Sequence, residues 1–277
     1  MIEIDDEFYN NFDVIKRLGD GANSEVYLVK ENRSGNVFAA KIIKTENFNF
    51  QEIKIWKLIK DEECIIKYFS TVQTKNNISI LMEVVKGKDL FSLIREKKTP
   101  MKEDKVVDLF RQLIAAVKTM HLRGICHLDI KHENIMIVKK SQRLKLIDYD
   151  SCQEGEMVVS DKGTMHFLPP ERISDKNIVF NGFKADVWAC GVVLFEMYTR
   201  QYPFSDDSDE HHFRDMMQRI KTADYIKKYY DFMKSRKRFA LFQDLISKIL
   251  IVDPDKRCSL DDILVHPFLF PTTTICP

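Results

Sequence analysis

The chain has 277 residues, of which 44% are hydrophobic and 31% charged, so it is long enough to bury one large core or two smaller ones. This composition excludes a disordered chain, which would be poorer in apolar residues and further from neutrality. The 43 basic and 42 acidic side chains leave a formal net charge of +1, which gives no reason to expect a nucleic-acid or membrane partner.

The cysteines are scattered and none forms a C-x-x-C pair, so their spacing indicates neither a zinc site nor a disulfide framework. Scattered thiols are typical of a reducing compartment. The start of the chain, Met1–Asp6, is too acidic for a signal or transit peptide, and the most apolar stretch, Val187–Phe195, is too short to span a bilayer. We therefore expect a monomeric protein of the cytoplasm, the nucleus or both.

The chain from residue 12 to residue 85 predicts mainly short β-strands. The β-prone runs are Val26–Val29, Val37–Ile43 and Ile78–Val85. Phe50–Lys60 instead has apolar residues at helical spacing, and Lys86–Asp89 ends the last strand-like run. This half of the chain is therefore predicted to be small and β-rich.

Beyond residue 89 the pattern becomes mainly helical. Glu103–Arg123 is amphipathic and is followed by Gly124, a residue typical of helix ends. Further helices are predicted at Ala185–Thr199, Phe239–Leu250 and Leu260–Val265, and a small hairpin at Ile135–Val138 and Leu144–Ile147. Because no long linker separates the halves, we expect two packed lobes with a cleft between them.

The first chemical motif is Leu18-Gly19-Asp20-Gly21-Ala22-Asn23-Ser24-Glu25-Val26. Two glycines one residue apart let the backbone approach phosphates closely, although an ordinary glycine hairpin is an alternative. A dinucleotide site would need G-x-G-x-x-G opening a helix. Here Ser24 replaces the third glycine and a strand follows, which argues against such a site.

Three further motifs carry charged groups. Lys41 lies in an apolar strand, where burial would be costly without an anion such as Glu52, although an exposed strand face is the alternative. The segment His127–Asn134 places a carboxylate, an ammonium and an amide within six residues, which suits proton acceptance, phosphate neutralisation and magnesium binding. Asp148 follows a short apolar run and offers a second metal ligand. Each motif alone could be a polar loop.

In this order, the motifs resemble a eukaryotic-type protein kinase domain of the serine/threonine type, over about residues 12 to 269. Other matching segments are Gly163-Thr164, Pro169-Pro170-Glu171, Asp186–Gly191, Asp253–Arg257 and His266-Pro267-Phe268. The resemblance implies an α+β fold with a small β-rich N-lobe containing one helix, a larger α-rich C-lobe and an ATP cleft between them. It implies a single domain over residues 1–277, with an N-lobe at 12–85, a hinge at 86–89, a C-lobe at 90–269 and a short tail at 270–277.

The resemblance also implies roles for the matching residues. Asp129 would be the catalytic base, Lys131 would steady the transferred phosphate, and Asn134 and Asp148 would hold Mg²⁺ or Mn²⁺. Lys41, oriented by Glu52, would hold the α- and β-phosphates of ATP. The remaining nucleotide contacts would come from Leu18, Gly19, Asp20, Gly21, Ser24, Val26, Ala39, Met82, Glu83, Val85, Asp89 and Met136.

Some of these implied roles are more specific. Met82 falls at the gatekeeper position, and Val26, Ala39 and Met136 would sandwich the adenine, although these three could instead be ordinary core residues. Glu83 and Val85 would bond adenine through their backbones, and Asp89 would meet the ribose. Glu171 and Arg257 would form a buried ion pair. Lys131 and Thr164 match the pattern for serine or threonine acceptors in a protein substrate.

Two departures concern regulation. Leu128 stands where many members of this family have an arginine that binds an activation-loop phosphate, so we expect activity without phosphorylation of that loop. Ser160 precedes Gly163 by three residues, where a phosphosite often lies, but a solvated serine beside Asp161 is the alternative. Ser160→Ala should then leave activity within a few-fold.

Other departures concern geometry. Asp150 replaces the glycine of the family's magnesium motif, which in this chain is Asp148-Tyr149-Asp150. There it could bind metal, raise metal affinity or distort the loop. Tyr149 replaces a phenylalanine, and its hydroxyl needs a partner if buried. Only 10 residues separate Lys41 from Glu52, fewer than is usual, so the helix could be held in its active position or displaced.

Two other functions stay open. Asp150 and Ser24 favour a pseudokinase, an interaction module with impaired turnover. A small-molecule kinase on the same fold is the third reading, although Thr164 and Pro169-Pro170-Glu171 resemble a protein-substrate platform. The segment Gln218–Tyr225, with the helix end near Arg257–Phe268, is similar to the calcium/calmodulin-dependent and SNF1-like kinases. An acidic loop contains Asp206, Asp207, Asp209 and Glu210. It could favour basic substrates, although a solvated loop is the alternative.

Overall fold

The computed structural model describes residues 2–21, 23–59, 62–96, 99–174, 178–204 and 233–270. The chain divides into two compact units, Met1–Lys86 and Gly87–Pro277. Three predicted features lie outside the described residues: the acidic loop at 206–210, the segment Gln218–Tyr225 and the tail after residue 270.

In its described residues, the first unit contains a β-sheet and two α-helices. Its strands are β1 Phe12–Asp20, β2 Ser24–Glu31, β3 Val37–Lys44, β4 Tyr68–Gln73 and β5 Asn77–Met82, and its helices are α1 Asp6–Tyr9 and α2 Phe50–Ile59. The strands form an antiparallel sheet in the order β1-β2-β3-β5-β4. The β2–β3 turn needs a left-handed residue, which Gly35 supplies with φ of 73°.

The two faces of this sheet carry different cores. Ala40 and Ile42 of β3 pack on one face with Phe8 of α1. Ile43 lies on the opposite face with Phe48, which leads into α2. Because side chains alternate along a strand, Lys41 points to the same face as Ile43.

The second unit is mainly helical. Its helices are α3 Leu90–Arg95, α4 Glu103–His121, α5 Pro170–Ser174, α6 Gly182–Thr199, α7 Phe239–Ile249 and α8 Leu260–Leu264. Its short strands are β6 Gly87–Asp89, β7 Ile125–Cys126, β8 Ile135–Val138, β9 Leu144–Leu146, β10 Gln153–Glu154, β11 Met157–Val158 and β12 Phe180–Asn181. The predicted hairpin is present as β8–β9, to which β6 adds a third strand. Helix α6 is buried along nearly its whole length, as its continuous apolar sequence predicts.

The shortest strands were not predicted. Lys86–Asp89 was expected only as a break, yet β6 pairs with β8, and Gly87 is required there because a Cβ would lie 1.9 Å from Ile137 O. Likewise β7 pairs with β10, and β11 with β12. These strands have only two or three residues, which is too short to show a periodicity. Each also pairs with a segment that is distant in sequence, so no local pattern indicates it.

Candidate active site

Lys41 and Glu52 form a buried ion pair in the first unit. Their Nζ and Oε1 atoms are 2.7 Å apart, and the residues are 7% and 0% exposed. The short connection between them begins with a 3₁₀ turn at Thr45–Asn47. It then turns into α2 at Asn49, whose side chain accepts a hydrogen bond from Gln51 N at 3.0 Å. The connection therefore holds α2 in the paired position.

The glycine-rich hairpin joins β1 and β2. Gly21 N donates to Ser24 O at 2.8 Å, and Ala22 at the tip lies outside the described residues. A Cβ at Gly19 would meet nothing within 4 Å, so the backbone is open there. Below the tip, the buried Glu25 accepts bonds from Arg17 and from the Tyr27 hydroxyl, each at 2.8 Å. The hairpin is thus anchored at its base.

The side chains predicted to carry the chemistry meet in the second unit. Thr164 Oγ1 donates to Asp129 Oδ1 at 2.8 Å, and Asn134 Nδ2 donates to Asp129 Oδ2 at 3.0 Å. Lys131 Nζ lies 2.8 Å from Asp129 Oδ2 and donates to Thr164 Oγ1 at 2.8 Å. These contacts form a closed polar network around the Asp129 carboxylate.

A buried carboxylate of α6 fixes the backbone of this loop. Asp186 accepts from His127 N at 2.7 Å and from Leu128 N at 2.8 Å, and it lies 2.9 Å from His121 Nε2. Leu128 has a left-handed backbone with φ of 63°, which is costly for a branched side chain. The two bonds from Asp186 stabilise that conformation.

Asn134 and Asp148 offer oxygen ligands on neighbouring chain segments. The Asn134 amide nitrogen donates to Asp129 O at 2.9 Å as well as to its carboxylate, and Oδ1 accepts no hydrogen bond from the described residues. Ile147 N donates to Asn134 O at 2.9 Å, which brings the residue before Asp148 alongside Asn134. The described residues contain no group of three or more His, Cys, Asp or Glu side chains arranged for a metal. One amide and one carboxylate fit Mg²⁺, which binds few protein oxygens and keeps water or phosphate ligands.

The two departures in the magnesium motif each have a partner. Lys162 Nζ donates to Asp150 O at 2.9 Å and to Asp150 Oδ2 at 2.8 Å. The buried Tyr149 hydroxyl donates to Leu146 O at 2.6 Å. Ser160 is 8% exposed, and its hydroxyl accepts from Lys162 N at 3.2 Å. Ser160 is therefore not the solvated serine that was one of the two alternatives.

The remaining residues predicted to contact a nucleotide are divided between the two units. In the first, Ala39 faces Met82 across β3 and β5, and Val26 faces Lys41 across β2 and β3. In the second, Met136 faces Asp89 across β8 and β6. The Asp89 carboxylate caps α3 by accepting from Ser92 N and Ser92 Oγ, both at 2.7 Å, a structural role that was not predicted. In the first unit, Glu83 N donates to Lys67 O at 2.9 Å.

A charged cluster within the loop His127–Asn134, called the catalytic loop from here on, was not predicted. His132 is fully buried, in contact with Glu133 through Nδ1 and 2.8 Å from Glu196 Oε2 through Nε2. Burial alone would lower the pKa of His132, but the bonds to these two carboxylates outweigh it and raise the pKa to about 8. Arg95 donates to the other Glu196 oxygen at 2.8 Å. The sequence gives one indication of this cluster, because Glu196 is a charged residue inside the mainly apolar helix α6.

Glu171 and Arg257 form the predicted ion pair. Arg257 Nη1 and Nη2 donate to the two Glu171 oxygens at 3.0 and 3.1 Å, a bidentate arrangement. Arg257 is fully buried and also donates to Lys184 O at 2.7 Å. The pair thus ties the start of α5 to the segment before α8.

The fold and this polar network are those of a protein kinase. The family described as "Protein kinase domain" matches residues 12–269, so the chain belongs to the protein kinase family. The predicted α+β fold class, a small β-rich part followed by a larger helical part, is confirmed.

Individual relatives are serine/threonine kinases by name. The chain is 29% identical over 277 residues to the probable serine/threonine-protein kinase KCC4 of Saccharomyces cerevisiae, covering 93% of this chain and 26% of the relative. It is 30% identical over 280 residues to serine/threonine-protein kinase SRK2F of Arabidopsis thaliana, covering 96% and 76%. It is 32% identical over 276 residues to CBL-interacting serine/threonine-protein kinase 5 of the same plant, covering 94% and 58%. The chain thus spans about a quarter of the yeast relative, and the predicted resemblance to serine/threonine kinases is confirmed.

Family membership implies the use of ATP and a divalent metal ion in general. Among the described residues, no helix is both long enough and apolar enough to cross a membrane.

Proposed function

We propose that this chain is an active serine/threonine protein kinase, which transfers the γ-phosphate of ATP to a serine or threonine hydroxyl of a protein substrate. The observation that carries the proposal is the closed network of Asp129, Lys131, Asn134 and Thr164. A hydroxyl oxygen, that of Thr164, already lies 2.8 Å from Asp129 Oδ1, so this carboxylate is positioned to accept a hydroxyl proton.

In the proposed reaction, Asp129 is the catalytic base. The substrate oxygen forms a bond to the γ-phosphorus while the bond to the β-bridging oxygen breaks, and the hydroxyl proton passes to Asp129 as ADP leaves. Lys131, whose ammonium lies beside that carboxylate, stabilises the negative charge on the transferred phosphoryl group. Both groups are held before substrate arrives, which limits the reorganisation that the reaction requires.

The proposal assigns the nucleotide to residues of both units. Lys41, oriented by Glu52, would hold the α- and β-phosphates, and Asn134 and Asp148 would hold the metal. Mg²⁺ is proposed, with Mn²⁺ as a substitute; when bound it neutralises phosphate charge. The other proposed contacts are those of the glycine-rich hairpin and of Val26, Ala39, Met82, Glu83, Val85, Asp89 and Met136.

We further propose that activity needs no phosphate on the activation segment, defined here as residues 148–171. Leu128 occupies the position of the phosphate-binding arginine, and its side chain is buried in an apolar cluster rather than turned to solvent. The buried Ser160 supports the same proposal, because its hydroxyl bonds within the segment. Scattered cysteines support a reducing compartment, and we propose a monomer of the cytoplasm or nucleus, which sedimentation and imaging of a tagged chain test.

The test is phosphate transfer from labelled ATP to a generic protein substrate, with Mg²⁺ or Mn²⁺, for the parent and for Asp129→Asn. The variant keeps the shape of the side chain but loses the base, so transfer should fall by about 100-fold or more. Label should appear on serine and threonine. Equal, background-level signals from both proteins would reject the proposal and favour a pseudokinase. ATP binding to Asp129→Asn, measured by thermal shift, serves as the control for folding.

A further inference from the structure

Arg172 is a buried arginine for which the proposed reaction gives no role. It follows Glu171 in α5 and is 5% exposed. Its Nη1 donates to Leu128 O at 3.3 Å, and its Nη2 donates to Ser160 O at 3.2 Å and to Lys162 O. One guanidinium thus joins the residue before Asp129 to two residues of the activation segment.

The energetic setting of Arg172 is unusual. No carboxylate of the described residues lies in ion-pair contact with it, so its charge is met by backbone carbonyls and by the Phe180 ring, whose centroid is 4.8 Å from the guanidinium carbon. Its buried Nε has no hydrogen-bond partner among the described residues. Burial lowers the pKa of Arg172, and the field of Asp186 and Asp129 opposes this shift. Burying a cation is costly, and a guanidinium offsets part of that cost because its five N–H donors, fixed in a planar fork, can bind several carbonyls at once.

Gly163 leaves room for the hydrogen bond between Arg172 and Leu128 O. Gly163 has φ of 119°, and a Cβ there would lie 3.0 Å from Leu128 O and 3.1 Å from Arg172 Nη1. A side chain at this position would therefore push the segment away from both partners. Thr164, the next residue, is the one that bonds Asp129 and Lys131.

An apolar contact runs parallel to the bonds of Arg172. The Leu128 side chain packs with Val158 of β11 and Phe180 of β12 in one buried cluster. Where an arginine would need a phosphate partner, this leucine contacts the segment directly. The catalytic loop and the activation segment are therefore joined by apolar packing at one point and by Arg172 at another.

We propose that Arg172 is a positioning residue that holds residues 160–163 against the catalytic loop, so that Thr164 completes the Asp129 network without any phosphate. This inference rests on the proposed kinase function for its catalytic consequence. Its structural part, the attachment of the segment, does not depend on turnover. The two parts can be measured separately.

The experiment compares Arg172→Met with Arg172→Lys, Arg172→Gln and a control, Arg111→Met, at an exposed arginine of α4. The first readout is the rate of native tryptic cleavage after Lys162, followed by mass spectrometry. We expect Arg172→Met to raise this rate by about tenfold or more, because Lys162 loses its tether, while the control stays at the parent rate. Arg172→Lys should be intermediate, since one ammonium cannot reproduce the fork. If Arg172→Met does not fold, Arg172→Gln gives the same comparison.

The second readout separates kcat from KM. Misplacing Thr164 should lower kcat for the protein substrate by about 10- to 100-fold. KM for ATP should stay within about twofold, because none of the three residues that Arg172 binds is assigned to the nucleotide or the metal. Unchanged cleavage together with unchanged kcat would overturn the proposal. A parent with no activity at all would reject the kinase function, while faster cleavage of Arg172→Met would still support the attachment.

Discussion

At the tip of the glycine-rich hairpin, the hydrogen bond from Gly21 N to Ser24 O joins neighbours in sequence. In the catalytic loop, they run to residues far along the chain. Asp186 binds His127 N across 59 positions, and Thr164 binds Asp129 across 35. Glu25 anchors the base of the hairpin, and the backbone at Gly19 has open space around it. The catalytic loop, by contrast, is hydrogen-bonded to Asp186 of α6 and to Thr164 of the activation segment.

The difference matches the two tasks proposed for these regions. A loop that stabilises charge in a transition state is effective when its groups are fixed beforehand. A hairpin that covers phosphates must admit and release a ligand, and few contacts at its tip permit this. Removing a distant anchor should therefore damage the catalytic loop far more than removing a local one damages the hairpin.

The largest effect is expected for Asp186→Asn. The amide can accept from one of the two backbone N–H groups, while its own NH₂ faces the other, so the loop loses charge-assisted bonds worth about 2 kcal/mol of unfolding free energy. kcat should fall by about tenfold or more, because the Leu128 backbone is no longer held. Urea unfolding and steady-state kinetics measure both quantities. Asp255→Asn, at an exposed turn, is the matched control.

If Asp186→Asn folds and keeps the parent kcat, the contrast between the two regions fails. The distant anchor would then be a feature of stability alone.

A smaller effect is expected for Glu25→Gln. The pKa of Glu25 is lowered mainly because its carboxylate accepts a hydrogen bond from Ile2 N. A hydrogen bond from Tyr27 and the positive charge of Arg17 lower it further. Because the folded pKa is below the unfolded value, the carboxylate stabilises the fold above pH about 4.5 and this contribution is lost as the pH falls further. At pH 7 the variant should lose about 1 kcal/mol of unfolding free energy.

Urea unfolding of parent and Glu25→Gln at pH 7 and pH 4 tests this. The difference between them should shrink at pH 4, and kcat should be unchanged at pH 7. A difference that grows at low pH would show that Glu25 is not held as a carboxylate.

The smallest effect is expected for Ser160→Ala. Its hydroxyl accepts one bond from Lys162 N within the activation segment, and Arg172 binds the Ser160 carbonyl, which alanine retains. Transfer activity should stay within a few-fold of the parent, and mass spectrometry should find active protein without phosphate at Ser160. A near-total loss of activity would mean that this segment depends on the serine after all.

Local patterns were sufficient to predict much of the fold. The Lys41 strand, the Glu52 helix and the β8–β9 hairpin are each predicted by the spacing or run of apolar residues within one short stretch of sequence. The short strands β7 and β10 to β12 could not be predicted, because each is defined by pairing with a distant segment.

The candidate site shows the same limit. The residue types of the Asp129 loop were readable, and so was the unusual Asp150. Its partner Lys162 and the bonds of Arg172 were not, because they exist only once the activation segment has folded back on the loop. The buried ring of His132 between two carboxylates is a further case, since one of them, Glu196, is distant in sequence.

The Glu171–Arg257 pair has a practical consequence for anyone who shortens or divides this chain. The fully buried guanidinium binds Glu171, Lys184 O and Ile251 O, so the end of the activation segment is held by a residue 86 positions later. A fragment that stops before Arg257 leaves the Glu171 carboxylate and these carbonyls without their donor. Fragments intended for crystallisation, biosensors or split-protein reporters should therefore keep Arg257 on the same polypeptide as Glu171.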